Sequence, residues 1–173
     1  MNIAQRMIDL DTFLAYSVAL EEEAADRHDE LADMMDVHNN PEVAKTFRKL
    51  AHYSRLHAQE IRDHAKGANL PVIAPWDFGW ENMEGPETAD IGEVNYLMNT
   101  AHALKIAMGN EQRAHDFYFQ ISRESPDPAV CALAEEFSEE EKEHLGLLEK
   151  WLEQYPESED EFAFDPDPAH MPE

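Results

Sequence analysis

The sequence predicts an all-α protein, a four-helix bundle of two antiparallel hairpins joined by one long crossover. Long segments carry apolar residues at helical spacing with acidic residues on their other faces. Two short turns, Asn39-Asn40-Pro41 and Asp127-Pro128, each place a capping residue before a proline. One long connection separates the second and third segments. Short, long and short connections are typical of a bundle with a single crossover.

The periodic segments predict four helices. The first spans about residues 10–37, and the second runs from Pro41 to Gly67. The third spans about residues 91–123, and the fourth begins at Asp127-Pro128 and ends before Pro156. The inward stripe of the first helix is expected to contain Leu14, Val18, Ala25, Leu31 and Met35.

The crossover, at about residues 67–90, is rich in proline, glycine and tryptophan, which favours an ordered but non-helical segment. Trp76, Phe78 and Trp80 are expected to pack it onto the bundle. The sequence thus predicts one domain over residues 1–156. An acidic, proline-rich tail follows at 157–173, and we expect it to be mobile or docked on a neighbouring subunit.

Composition and charge exclude several classes of function. The chain has 173 residues and a net charge of -25, which repels nucleic acids and anionic lipids and favours cations. No apolar run is long enough to span a membrane and the start lacks a signal-peptide pattern, so we expect a cytoplasmic protein. The single cysteine, Cys131, excludes an internal disulfide and a rubredoxin-type iron site. Any metal must therefore use oxygen and nitrogen ligands.

A few glutamates are predicted to face inward. Among three successive glutamates of the first helix, only Glu21 shares the apolar stripe. Glu111 lies on the apolar face of the third helix, and Glu141 and His144 lie on that of the fourth. Buried carboxylates without a partner are costly, and no lysine or arginine occurs on these inner faces nearby. A pair of divalent metal ions would neutralise them.

Depth along the bundle selects the histidine of the second helix. Glu21 and His57 lie equally far from the turn at Asn39, and Glu111 and Glu141 lie equally far from the turn at Pro126 between the third and fourth helices. His64 lies seven residues beyond His57, roughly 10 Å along the helix, and is not expected to join the cluster. Glu60 is one turn away from His57 and could reach the same cluster. Five polar groups from four helices therefore predict a metal site.

These residues give the chain a resemblance to the rubrerythrin branch of the ferritin-like superfamily over about residues 9–154. The motifs that carry it are EEEAADRHDELA from Glu21, EQRAHDFY from Glu111 and EEEKEHLGLL around Glu141 and His144. The resemblance implies a ferritin-like bundle with a carboxylate-bridged di-iron centre on Glu21, His57, Glu111, Glu141 and His144. It also implies an oxidoreductase acting on peroxide, oxygen or ferrous iron.

The sequence departs from the family pattern at Ser54, where the family has a glutamate three residues before the histidine of the second helix. Glu60 could substitute for it. Otherwise a single-metal, mixed-metal or weakly filled site results, and zinc or manganese are alternatives to iron. Tyr118 could hydrogen-bond a ligand carboxylate or supply an electron, or serve as a core tyrosine. His28 stands where the family usually has tyrosine.

The sequence leaves three functions open. The preferred one is a rubrerythrin-like peroxidase or oxygen reductase that needs an external electron donor, because no rubredoxin module is present. The second is a ferroxidase for iron storage or detoxification, into which the negative charge would draw Fe(II). The third is a metal-free helical bundle that serves as an interaction or assembly subunit with a degenerate site. A homo-oligomer, most simply a dimer, is expected in each case.

Overall fold

The computed structural model describes residues 7, 9–65, 67, 69–73 and 97–155. Across these ranges the chain forms four helices and no strand: α1 (Leu10–Val37), α2 (Pro41–His64), α3 (Thr100–Glu124) and α4 (Pro128–Leu152). Helix α1 packs along α2 and α3 packs along α4, while α2 also contacts α3. The predicted all-α bundle of two hairpins is confirmed.

The helix ends follow the capping residues in the sequence. The Asp9 side chain accepts a hydrogen bond from the Thr12 backbone N–H at 2.8 Å, and Asp127 accepts one from the Ala129 N–H at 2.8 Å. Asn39 adopts a left-handed conformation, with φ of 58°, and so reverses the chain between α1 and α2. Asn40 precedes α2, but its side chain donates to the Met98 carbonyl at 2.7 Å and ties the two hairpins together.

Two predicted helix limits were wrong. Helix α2 ends at His64 rather than Gly67, and Gly67 has a φ of +82°, which glycine adopts most readily. Helix α3 begins at Thr100 rather than near residue 91, because the Asn99 side chain caps it by accepting from the His102 N–H at 3.0 Å. Leu97 precedes this cap and lies outside the helix.

Several sequence predictions lie outside the described residues. They concern residues 91–96, the greater part of the crossover with Trp76, Phe78 and Trp80, and the tail at 157–173.

The interior of the bundle contains two separate apolar clusters. The α3–α4 turn cluster joins Phe13, Tyr118, Ile121, Val130 and Phe137 with further residues. The α1–α2 turn cluster joins Leu31, Met35, Phe47, Leu50 and Leu104 with others. The inward glutamates and histidines lie along the helices between these two clusters. The fold therefore places a short polar layer in the middle of an otherwise apolar bundle.

None of the helices in the described ranges has a stretch long and apolar enough to cross a bilayer.

Candidate metal centre

Three predicted side chains meet between α3 and α4. The His144 Nδ1 atom lies 2.9 Å from Glu141 Oε2 and 3.3 Å from Glu111 Oε2. One ligand atom from each of the three residues lies within 4.8 Å of the others, which is compatible with a shared metal ion. We call Glu111, Glu141 and His144 the trio. Among the described residues, no other group of three histidine, cysteine, aspartate or glutamate side chains has its ligand atoms this close together.

Helix α1 and helix α2 add a second pair of groups to the same layer. The Glu21 Oε1 atom lies 3.5 Å from the His57 Nδ1 atom, and we call these two residues the pair. The imidazole rings of His57 and His144 stack in parallel, with centroids 4.1 Å apart and an interplanar angle of 3°. The pair and the trio are therefore adjacent, and the structure brings all five predicted groups to one level of the bundle.

Helical register explains why these acids face inward. Glu21 is 2% exposed, whereas its neighbour Glu22 is exposed to solvent. Glu141 is 4% exposed, one turn after the buried Phe137, and Glu140 is exposed. A shift of one residue turns a helical side chain by about 100°, so a single register decides which carboxylate is buried.

Burial perturbs the acids of the centre. Desolvation raises the pKa of Glu21 and raises the pKa of Glu141 well above its usual range. In Glu141 the hydrogen bond from His144 opposes this rise, while the nearby Glu111 adds to it. For Glu111, burial also favours the neutral form, but hydrogen bonds with His144 and Glu141 lower its pKa overall.

His144 carries the opposite perturbation. Burial favours its neutral form, but the hydrogen bonds to Glu111 and Glu141 and their negative charges raise its pKa to about 10. At neutral pH the imidazolium of His144 thus offsets part of the buried negative charge. Without a bound cation, protons on these side chains neutralise part of the negative charge that a metal ion would otherwise neutralise.

The donor set fits a divalent metal. Carboxylate oxygens and imidazole nitrogens suit iron, zinc and manganese alike. The Glu21 Oε2 atom is buried and has no hydrogen-bond partner among the described residues, so one anionic acceptor in this layer is unused. An ion bound between the trio and the pair would satisfy it.

The structure shows where Ser54 lies, at the position where the resemblance implies a glutamate that bridges the metals. Ser54 is 8% exposed and lies on the inner face of α2, one turn before His57. A family glutamate at this place would point into the polar layer. Glu60, the predicted substitute, is exposed and contributes to the wall of the cavity beside the centre, but it does not join the trio.

That cavity, of about 30 Å³, opens beside the metal ligands. Tyr118 lines it and is 1% exposed, and its ring packs edge-on against Phe137 with centroids 5.4 Å apart. Its ring packing places Tyr118 firmly in the apolar core while its side chain borders the site. His64 and Glu140 also line the cavity, although register along α2 had placed His64 too far away to join the ligands. It lies on the cavity wall and outside the trio.

His28 is a buried polar residue whose isolation the sequence did not reveal. It is 4% exposed, its ring stacks on Phe47, and neither ring nitrogen has a hydrogen-bond partner within the described ranges. Burial lowers its pKa to about 4, against a smaller opposing effect of Glu111. His28 lies on the buried face of α1, seven residues after Glu21. Its lack of a hydrogen-bond partner among the described residues depends on the packing of the helices, which the spacing along α1 does not contain.

Comparisons with known proteins identify a matching family model and a similar solved structure. A family model described as Rubrerythrin matches residues 12–77, a stretch that contains Glu21, Ser54 and His57. The crystal structure of an uncharacterized conserved protein from Magnetospirillum magnetotacticum MS-1 is 40% identical in sequence. It covers 86% of this chain and 97% of its own, with a TM-score of 0.63. No curated protein matches the chain.

Proposed function

Because the chain belongs to the rubrerythrin family of ferritin-like proteins, we propose that it is a di-iron carboxylate oxidoreductase that reduces peroxide or oxygen. The observation that carries the proposal is the meeting of three glutamates and two histidines from four helices in one layer, in which Glu21 and Glu141 are buried and the other three are partly buried. The trio supplies a preformed ligand set, and the pair extends it by a second imidazole and a carboxylate.

The chemistry follows from what the protein contributes around the metal. A ferrous pair, when bound, supplies two electrons to peroxide or oxygen. Glu111, Glu141 and His144 would hold a cation on the side of α3 and α4, and Glu21 and His57 would hold one on the side of α1 and α2. The apolar clusters on both sides of this layer lower the polarity around the acids and so strengthen the electrostatic interactions within it.

The size of the site favours a small substrate. A cavity of about 30 Å³ has room for a molecule close to the size of water, which suits oxygen or hydrogen peroxide. In this proposal Tyr118, on the wall of this cavity, hydrogen-bonds a ligand carboxylate or donates an electron. The reducing electrons come from an external donor in this proposal.

A second candidate, ferroxidation for iron storage or detoxification, is favoured by charge. The net charge of -25 attracts Fe(II), and the exposed Glu60 and Glu140 line the cavity that leads to the ligands. In both cases we place the protein in the cytoplasm as a homo-oligomer, most simply a dimer. The two candidates differ in the fate of the iron, since a storage protein retains many ions per chain and a peroxidase retains two.

The experiment compares the protein with two glutamine variants after anaerobic loading with Fe(II). Stopped-flow measurement of hydrogen peroxide consumption should show oxidation of the bound iron in the wild type and at least about a hundred-fold slower reaction in Glu141→Gln. Glu143→Gln, two residues away on the exposed face of α4, is the matched control and should react like the wild type. Iron retained per chain after repeated additions of Fe(II) and oxygen then separates the two candidates.

Two results would contradict the proposal. If the protein binds less than about a tenth of an equivalent of iron after loading, the metal-free interaction subunit becomes the better account. If Glu141→Gln and Glu143→Gln behave alike, the trio is not the reacting centre.

A further inference from the structure

We propose that the two halves of this centre are unequal, so that the trio binds one divalent cation tightly and the pair binds a second one only weakly. The inference deepens the proposed metal centre and depends on it. It concerns Ser54, at which this chain lacks the carboxylate that would join the two halves.

Charge counting supports a tight position at the trio. Glu111 and Glu141 together carry two negative charges when ionised, which matches one divalent cation, and His144 adds a neutral imidazole once it loses its proton. The ligand atoms already lie within 4.8 Å of one another, so little rearrangement is needed. Binding there leaves no net charge at the trio.

The pair has only half of the required charge. Glu21 carries one negative charge, His57 is neutral as a ligand, and the Ser54 hydroxyl contributes none. A second divalent cation would therefore leave one uncompensated positive charge between two apolar clusters. A hydroxide ion could supply the missing charge, but its binding requires a water molecule to lose a proton.

Ser54 is buried at the position where an added carboxylate could supply the missing negative charge. The residue is 8% exposed on the inner face of α2, one turn before His57, so a longer acidic side chain at this place would enter the polar layer. Glu60 and Glu140, the two exposed carboxylates on the cavity wall, both lie outside the trio. The tight and weak positions thus follow from one substitution in the sequence.

Unequal positions would have a functional consequence. The tightly held ion would be resident, whereas the ion at the pair would exchange with free Fe(II). Such a centre is suited to taking up Fe(II) at the weak position, and the redox state of the protein would depend on the free Fe(II) concentration.

Anaerobic equilibrium dialysis against Fe(II), with iron and protein measured on each sample, tests this inference on the full-length protein. The wild type should bind a first equivalent and then a second one with a Kd higher by roughly ten-fold or more, which corresponds to about 1.4 kcal/mol. Ser54→Glu should bring the second Kd to within about three-fold of the first. Gln59→Glu, which adds the same charge on the exposed face of α2, should leave both Kd values unchanged.

Two ligand variants assign the positions and do not depend on a new buried acid. Glu21→Gln should retain the first equivalent and lose the second, whereas Glu141→Gln should lose the tight equivalent. Far-UV circular dichroism checks that each variant is folded, and Ser54→Asp, a shorter acid, replaces Ser54→Glu if that variant unfolds.

The outcomes separate this inference from the proposed function. Two equivalents with Kd values within three-fold of each other in the wild type would overturn the inference and leave the proposed metal centre standing. Loss of the first equivalent in Glu21→Gln would also overturn it. Absence of any bound iron would overturn the proposed function itself.

Discussion

The buried His28 gives a prediction that tests the electrostatics of the interior without any metal. Its pKa is lowered from 6.5 to about 4 by burial, because neither ring nitrogen has a hydrogen-bond partner among the described residues. The unfolded chain takes up a proton near pH 6.5, and the folded chain does so only near pH 4. Folding stability from this residue is therefore fully present above pH 6.5 and is lost as the pH falls toward 4.

The magnitude follows from the same two values. The interval from 6.5 to about 4, at roughly 1.4 kcal/mol per pH unit, corresponds to about 3 kcal/mol. The protein approaches its isoelectric point near pH 4.5, so the useful range ends at pH 5, where about 2 kcal/mol of the loss should be present. Other groups also titrate in this range. The contribution of His28 is therefore taken as the difference in free energy of unfolding between the wild type and a variant that lacks the imidazole.

The assay is urea unfolding of chelator-treated protein, followed by far-UV circular dichroism between pH 7.5 and pH 5. The variant His28→Phe keeps an aromatic ring against Phe47 and removes the titrating nitrogens. We expect the free energy of unfolding of the wild type to fall by about 2 kcal/mol more than that of the variant over this range. At pH 7.5 the variant should be the more stable of the two, because two unpaired buried nitrogens are gone. Parallel pH profiles would refute this account of the interior.

Three further predictions concern the metal ligands and the core. Fe(II) at a concentration a hundred-fold above its Kd should stabilise the wild type by about 2.7 kcal/mol in thermal unfolding, and Glu141→Gln should lose this gain while Glu143→Gln keeps it. Binding of Fe(II) at pH 7 should release about one proton from His144, because its pKa is about 10 and a ligand imidazole must be neutral. Calorimetry in buffers of different ionisation enthalpy should measure that proton. If no proton is released, the assignment of His144 as a ligand is wrong. Phe47→Ala should lower the free energy of unfolding of the metal-free protein by about 3–5 kcal/mol, measured in urea, since its side chain is fully buried in the α1–α2 turn cluster; a loss below about 1 kcal/mol would contradict that packing.

Periodicity made much of this structure predictable from the sequence. Helical spacing identified Glu21 as the inward acid among three neighbours, and Glu141 likewise, because register on a helix is a local property. Counting residues from the two short turns placed Glu21 level with His57, since antiparallel helices have the same rise per residue. The distance of 3.5 Å between Glu21 Oε1 and His57 Nδ1 agrees with that count.

Other features depend on contacts that a periodic pattern does not contain. The apolar spacing of α3 continues upstream, yet the Asn99 side chain caps the helix and fixes its first turn at Thr100. Helical rise correctly placed His64 outside the trio, but it did not reveal that His64 lines the cavity beside it. The isolation of His28 depends on what surrounds it in three dimensions, which no single helix reveals.

Anomalous diffraction from crystals grown anaerobically with Fe(II), with data collected on both sides of the iron absorption edge, tests the central claim most directly. The claim is that buried carboxylates from separate helices are held together by bound cations. It predicts an iron peak within coordination distance of Glu111, Glu141 and His144, with a weaker peak beside Glu21 and His57. An iron-free layer in which these carboxylates turn to solvent or pair only through protons would contradict it.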